Sequence, residues 1–119
     1  MRKIYHLKSC STCQRIIKEL QIGEDFEMQN IKEEAITEAQ IDFMKEKVGS
    51  YEALFSRRAM KYRAMGLNNQ ELTEADYRRL ILEEYTFLKR PVIIIDDAIF
   101  VGNAKKAVQG AKAKLGLAG

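Results

Sequence analysis

The beginning of the chain changes from a short apolar run to a helical spacing and then to strict alternation. Positions 2–7 predict a strand, and a helix predicted over about 12–21 stops at Gly23. The helical spacing is carried by Cys13, Ile16, Ile17 and Leu20. Apolar and polar residues alternate over 25–29, which predicts a second strand. The pattern therefore predicts a βαβ unit.

The middle of the chain has the spacing of helices only. Two helices are predicted to begin with a capping box, at Thr37 and at Thr73. In this motif a Thr and a side chain three residues later satisfy each other's backbone N–H groups. Between them, 50–65 predicts one or two short helices with Met60 and Met65 in the core. We therefore predict an all-helical middle segment.

Strand signals return after the chain's only proline, Pro91. The β-branched run 92–95 is typical of a buried strand, and 98–101 predicts the return strand of a hairpin. The apolar positions that follow keep the spacing of a closing amphipathic helix. The order βαβ, helices, ββα predicts one α/β domain over 1–119 with a helical insertion at about 36–86.

Composition and charge narrow the classes of protein. A length of 119 residues suits one domain with its own core, and the apolar and charged fractions, 46% and 31%, are ordinary for globular proteins. The formal net charge of +3 includes no dense basic block, so direct nucleic-acid binding is not expected. The longest apolar run is too short to span a bilayer, and no apolar signal segment follows Met1. We therefore expect a cytoplasmic protein without a membrane partner.

The two cysteines of the chain, Cys10 and Cys13, stand where the first strand meets the first helix. A thiol at a helix N-terminus meets unsatisfied backbone N–H groups and the positive end of the helix dipole, so its pKa falls below the free value of about 8.5. The thiolate is the attacking species, and a Cys-x-x-Cys motif in the cytoplasm indicates redox chemistry. The N–H groups and hydroxyls of Ser11 and Thr12 are placed to hold an anionic substrate. We predict that Cys10 attacks and Cys13 resolves.

Two other interpretations of the cysteine pair stay open. Cys10 and Cys13 also fit two small buried apolar side chains. The second interpretation is a zinc site, but structural zinc takes four ligands and His6 is the chain's single histidine. Two chains would therefore have to share the metal, and we expect none.

Three separated motifs carry a resemblance that covers essentially the whole chain. They are Ile4 to Cys13, Arg57-Arg58 ahead of Tyr62 and Gly66-Leu67, and Lys89-Arg90-Pro91-Val92-Ile93-Ile94. Together they resemble the arsenate reductase (ArsC) family, which includes the Spx-type redox regulators. The resemblance implies a thioredoxin-like fold, with a mixed four-stranded sheet built from βαβ and ββα halves and an all-helical insertion between them. It also implies a cis bond before Pro91, which packs against the active-site thiol.

The resemblance implies roles for single residues. Cys10 matches the family's nucleophile, and His6 matches a histidine beside it. Arg90 matches an arginine that helps to bind the oxyanion, and Arg57 or Arg58 matches a second such arginine. Structural interpretations remain beside these: His6 suits a satisfied histidine on one face of a strand, and the arginines suit solvated cations.

At two points the chain departs from the family's glutaredoxin-linked arsenate reductases. Those enzymes carry a third arginine in the returning strand, where this chain has Val101-Gly102-Asn103. They also work with a single active-site cysteine, whereas Cys13 supplies a second one here. Both departures favour an internal Cys10–Cys13 dithiol couple over arsenate as the natural substrate.

We therefore expect a thiol–disulfide oxidoreductase that acts on a small oxyanion or on a disulfide. It needs no bound cofactor, because a cellular thiol reductant such as glutathione, glutaredoxin or thioredoxin would return the dithiol. The alternative that the resemblance implies is an Spx-like redox-sensing transcriptional regulator that binds the RNA polymerase α-subunit.

Overall fold

A computed structural model describes residues 1–117, and positions 118 and 119 of the predicted domain lie outside them. The elements follow in the order β1 (Arg2–His6), α1 (Ser11–Glu19), β2 (Glu27–Asn30), α2 (Glu38–Val48), α3 (Met60–Ala64), α4 (Glu74–Glu83), β3 (Val92–Ile95), β4 (Ala98–Val101) and α5 (Lys105–Lys114). Short 3-10 helices lie at Glu52–Leu54, Leu67–Asn69 and Tyr85–Phe87. Within residues 1–117, no helix is both long enough and apolar enough to cross a membrane.

The chain divides into two compact units. The first unit combines Met1–Glu34 with the chain from Arg90 onward, and it contains the four strands together with α1 and α5. The second unit is Ala35–Lys89, and it contains α2, α3 and α4. The helical unit is therefore inserted into the sequence of the sheet unit.

The first unit is built on a four-stranded sheet with the order β2-β1-β3-β4. β1 and β2 are parallel and are joined through α1, whereas β3 is antiparallel to both β1 and β4. In this register Ile4 lies between Met28 of β2 and Ile93 of β3. The predicted α/β architecture, βαβ followed by ββα around a mixed sheet, is confirmed.

Helices α1 and α5 pack on the sheet through one buried cluster. Its members are Ile4, Ile16, Leu20, Phe26, Ile93, Ile95, Val108 and Ala111. Complete burial of one large aliphatic or aromatic side chain contributes about 1.5–3 kcal/mol. The cluster therefore fixes how α1 lies on the sheet, and with it the place of the helix N-terminus.

The second strand pairs over a shorter and later segment than the alternation over 25–29 predicts. The Phe26 N–H donates to the Gly23 C=O at 3.0 Å, which closes a turn. The Phe26 side chain is 6% exposed and belongs to the core cluster. Because residue 26 is committed to that turn, pairing with β1 begins only at Glu27 and extends to Asn30.

Both long helices of the second unit begin as predicted. The Thr37 hydroxyl accepts the Gln40 N–H, and the Gln40 side chain accepts the Thr37 N–H, each at 3.1 Å. Thr73 and Asp76 make the same reciprocal pair. An N-cap of this kind contributes about 1 kcal/mol. The two capping boxes are confirmed.

The prediction that Met60 and Met65 are core residues is wrong. Their side chains are 91% and 48% exposed. Helix α3 has only five residues, and its Tyr62 ring packs edge-on against Phe55 with 5.9 Å between the ring centroids. No residue of this short helix is buried, and its half-buried Tyr62 lies on the side that faces Phe55, so the two methionines face solvent.

Helix α5 crosses β4 so closely at Gly110 that a side chain does not fit. A Cβ at this position would lie 2.8 Å from the ring of Phe100. Alanine is favoured over glycine inside a helix by about 1 kcal/mol. An extra carbon in a packed site costs about 1–3 kcal/mol, so the two effects oppose each other here.

We expect Gly110→Ala to lower the free energy of unfolding by about 1 kcal/mol in urea denaturation, because overpacking exceeds the gain in helix propensity. In a Phe100→Leu background the same change should be neutral or stabilising, since the ring that it meets is gone. The exposed neighbour Gln109 supplies the control, Gln109→Ala, which should stay near the wild type. A more stable Gly110→Ala single variant would contradict the close approach.

Candidate functional site

Cys10 occupies the N-cap of α1, with φ −86° and ψ 114°. Its C=O accepts the Gln14 N–H at 3.1 Å, and its own N–H donates to the Leu7 C=O at 2.9 Å. No side chain caps this helix end with a hydrogen bond of ordinary geometry. The N–H groups of the first turn are therefore available to the Cys10 sulfur.

Several groups act on the pKa of the half-buried Cys10 thiol. Partial burial is the largest single influence and would raise this pKa. It is outweighed by weak hydrogen bonds to the sulfur from the Cys13 N–H, the Cys13 thiol and the Thr12 N–H, and by the positive charge of Arg90. The pKa of Cys10 consequently lies below its ordinary value, which favours the thiolate.

Cys13 is held in the opposite protonation state. It is 0% exposed, and this burial raises the pKa of its thiol to about 11. The charge of a Cys10 thiolate acts in the same direction, whereas the Leu7 N–H and Arg90 act against it. Cys13 therefore remains a thiol at neutral pH and donates its proton toward the Cys10 sulfur.

Both cysteines are free thiols. Cys10 is partly exposed, so the interpretation of two buried apolar cysteines fits Cys13 alone. Among residues 1–117, no group of three or more His, Cys, Asp or Glu side chains is placed to hold a metal ion.

Arg90 and Pro91 come to the site from a distant part of the sequence. They directly precede β3, which pairs with β1, and the peptide bond between them is cis, as the resemblance implies. Arg90 is half-buried, and its charge favours the thiolate of either cysteine. Pro91 is buried, and its C=O accepts the Gly102 N–H at 2.8 Å. The structure thus brings Arg90 within electrostatic reach of both sulfur atoms, while packing of Pro91 on the thiol stays a prediction.

The other predicted site residues of the first unit are Thr12, Ser11 and His6, and they differ in exposure and in the chemical group that each presents. Thr12 supplies its backbone N–H to the Cys10 sulfur. Ser11 is exposed at the first position of α1. His6, at the end of β1, is 9% exposed, and burial lowers the pKa of its ring. His6 is therefore neutral at pH 7, with one nitrogen that donates and one that accepts.

A cleft of about 480 Å³ opens beside the loop that leads to Cys10. Its lining residues are His6, Lys8, Gln14, Ile17, Met28, Asn30, Glu33 and Glu34. The cleft thus combines two apolar side chains with amides, an imidazole and charges of both signs. His6 belongs to the wall of this cleft.

Arg57 and Arg58 lie in the second unit, ahead of α3. The Arg57 guanidinium donates to the Glu52 carboxylate at 2.7 Å and to the Tyr77 hydroxyl at 2.9 Å. Arg58 is exposed, and its backbone N–H donates to the Ser56 hydroxyl at 3.3 Å. Both of these Arg57 hydrogen bonds therefore lie within the second unit. A role of Arg58 in oxyanion binding stays a prediction.

Three residues near the site have no place in the sequence-based prediction. The Leu7 N–H interacts with the Cys13 sulfur. The Gln14 side-chain amide donates to the Lys8 C=O at 2.5 Å, and the Asn30 side-chain oxygen accepts the Lys8 N–H at 3.3 Å. Gln14 carries a weak signal, since it follows the cysteine pair directly. Asn30 carries none, because its place depends on the register of β2.

Comparison with known proteins places the chain among relatives. The family model described as the ArsC family matches residues 5–111, and comparison with curated proteins found no match. The solved structure of SACOL0876 from Staphylococcus aureus COL is 26% identical with a TM-score of 0.74, over 92% of this chain and 97% of that one. An arsenate reductase (ArsC) related protein from Brucella melitensis is 25% identical with a TM-score of 0.68, over 92% of each chain. Arsenate reductase from Vibrio cholerae, at 15% identity and a TM-score of 0.72 over 98% of this chain and 97% of that one, shares the fold.

The lowered pKa of Cys10 predicts the pH profile of its alkylation by iodoacetamide, followed by mass spectrometry. We expect one inflexion below about 8.5 from Cys10, while Cys13, with a pKa of about 11, stays unmodified at neutral pH. Cys13→Ala removes the thiol that donates to Cys10 and should move the inflexion upward. Cys13→Ser keeps a donor at that place and should stay close to the wild type. A wild-type inflexion at or above the free value would contradict the activation of Cys10.

Proposed function

Because the chain belongs to the ArsC family, we propose that it is a thiol–disulfide oxidoreductase with Cys10 as nucleophile and Cys13 as resolving thiol. One observation carries the proposal: a partly exposed sulfur with a lowered pKa lies beside a buried thiol whose pKa is about 11. Family membership supports a thiol-dependent reductase in general. The opposite pKa shifts support the division of roles between the two cysteines.

In the first step the Cys10 thiolate attacks one sulfur of a substrate disulfide. A bond forms between Cys10 Sγ and that sulfur, the substrate's own S–S bond breaks, and the departing thiolate takes a proton from water. Negative charge thereby moves from Cys10 to the leaving sulfur. The guanidinium of Arg90 favours this charge near the site, and a charge-assisted contact is stronger than a neutral one.

In the second step Cys13 Sγ attacks Cys10 Sγ, and the bond between Cys10 and the substrate sulfur breaks. The proton of the Cys13 thiol passes to the leaving sulfur, so the remaining half of the substrate departs as a thiol. The mixed disulfide no longer carries the Cys10 charge, so one influence that raises the pKa of Cys13 is removed, although burial remains. The substrate has then gained two electrons and two protons, and the chain holds a Cys10–Cys13 disulfide. An external thiol such as glutathione, glutaredoxin or thioredoxin reduces this bond by the same exchange.

A small oxyanion is the second substrate class for the same residues. Its central atom would bond to Cys10 Sγ with loss of water, and attack by Cys13 would release the oxyanion reduced by two electrons. Arg90 and the Ser11 N–H would hold such a substrate. However, the Thr12 N–H already serves the Cys10 sulfur, so fewer donors remain for an oxyanion. This favours a disulfide as the substrate.

The two cysteines should give different variant phenotypes. With a peptide disulfide as substrate and thioredoxin or glutaredoxin as reductant, Cys10→Ser should abolish turnover because no thiolate attacks. Cys13→Ser should stop after the first step and accumulate a covalent adduct on Cys10, visible in non-reducing mass spectrometry. In the wild type, mild oxidant should produce a Cys10–Cys13 disulfide.

Arsenate and the peptide disulfide, assayed side by side, distinguish the two substrate classes. Turnover of many equivalents supports an enzyme. Oxidation of one equivalent without turnover would contradict the proposal and would favour the Spx-like sensor that binds the RNA polymerase α-subunit. The assigned roles would be contradicted if the Cys10→Ser variant formed an adduct on Cys13 as abundantly as the Cys13→Ser variant forms one on Cys10.

Two replacements of Arg90 should distinguish the effect of its positive charge from the effect of its hydrogen-bond geometry. Arg90→Met removes the positive charge, so it should raise the pKa of Cys10 and lower the rate at neutral pH several-fold. Arg90→Lys keeps the charge without the bidentate fork, so it should preserve most of the disulfide activity and lose more of any oxyanion activity. Equal rates for Arg90→Met and the wild type would exclude Arg90 from the site. Arg63→Met replaces an exposed arginine of α3 in the second unit, and as the matched control it should leave the rate unchanged.

A further inference from the structure

The loop between β1 and Cys10 is held by contacts on both of its sides. The Leu7 C=O accepts the Cys10 N–H at 2.9 Å, and the Lys8 N–H in the same peptide unit donates to the Asn30 side-chain oxygen at 3.3 Å. The next peptide unit places the Lys8 C=O on the Gln14 side-chain amide at 2.5 Å. Asn30 comes from the end of β2 and Gln14 from α1, so the loop is tied to a strand and to a helix.

The same loop is in direct contact with both cysteines. The peptide unit that Asn30 holds also receives the Cys10 N–H, which sets the N-cap residue over the first turn of α1. One unit earlier, the Leu7 N–H interacts with the Cys13 sulfur, while the His6 C=O of that unit accepts the Ile31 N–H at 2.9 Å. A displacement of this loop would therefore move the surroundings of both sulfur atoms.

We propose that Gln14 and Asn30 are positioning residues that clamp the Lys8 backbone from two sides and thereby fix the Cys10 and Cys13 sulfur atoms in their reactive arrangement. This rests on the proposed function of the cysteine pair. Neither side chain contacts a sulfur atom through an interaction of its own; both act through the loop backbone. No strand or helix pairs the Lys8 backbone groups, so the two amide side chains pair them instead. Gln14 donates to the Lys8 C=O, and Asn30 accepts the Lys8 N–H.

Replacement of Gln14 or Asn30 should change the stability of the fold only a little. Gln14 is exposed and Asn30 is half-buried, and neither belongs to the core cluster. Both line the cleft beside the loop, so replacement by an apolar side chain of similar size opens no cavity in the core. Surface replacements of this kind change stability little. An effect on the thiol therefore separates positioning from folding.

The experiment compares Gln14→Met and Asn30→Leu with the wild type in the pH profile of Cys10 alkylation. Both variants keep the approximate size of the side chain, add no charge and lose the hydrogen bond to Lys8. A loosened loop lets the Cys10 sulfur leave the N–H groups of the first turn, so the inflexion should rise by about half a unit. Alkylation below the inflexion should then slow about threefold. Gln109→Met makes the same chemical change on the exposed face of α5 and should leave the profile unchanged.

The outcomes separate this inference from the proposed function. A wild-type profile with an ordinary inflexion would overturn the function, and the positioning role with it. A lowered wild-type inflexion that neither Gln14→Met nor Asn30→Leu moves would overturn the positioning role alone. An upward shift in both variants, with thermal midpoints close to that of Gln109→Met, supports it. If one variant fails to fold, the profile of the other decides.

Discussion

The chemistry of this molecule depends on the way in which α1 begins. An oxygen-bearing N-cap side chain would use up the N–H groups of the first turn. Cys10 stands at that position instead, and no capping hydrogen bond of ordinary geometry forms there. The donors of Thr12 and Cys13 consequently act on a sulfur, which is a weak acceptor as a thiol and gains much more from them as a thiolate. Because no side chain caps this end of α1, its free N–H groups stabilise the thiolate of Cys10.

The difference in burial then gives Cys10 and Cys13, which have the same side chain, different roles. The spacing of three residues places Cys10 and Cys13 on the same side of α1. Cys13 lies deeper along the helix, on the face that carries the buried Ile16, whereas Cys10 lies at the open end. Desolvation disfavours the charged form of the buried thiol, and the exposed one keeps its access to substrate. The order of attack and resolution follows from this gradient of burial along one helical turn.

The parts of the site that the sequence predicted are those set by neighbours in the chain. The cysteines at the strand–helix turn, Pro91 before a β-branched run and the capping boxes all depend on short segments, and each was found where expected. The misplaced ends of β2 and the exposed Met60 depend instead on competition between segments: Phe26 packs in the core cluster, and the half-buried Tyr62, rather than Met60, packs against Phe55. Asn30 was missed for the same reason, since only strand pairing brings it to the loop.

Sheet order explains why these distant contributions meet. β1 is an inner strand between β2 and β3, so its carboxyl end receives Asn30 from one neighbour and Arg90 from the other. The register pairs His6 with Asn30 on one side and Tyr5 with Val92 on the other, which leaves Arg90 and Pro91 beyond the last pair, toward Cys10. A slip of one residue in either pairing would turn the side chains to the opposite face of the sheet. The cysteine motif supplies the reacting atoms, and the register of two strand pairs decides which charge and which amide surround them.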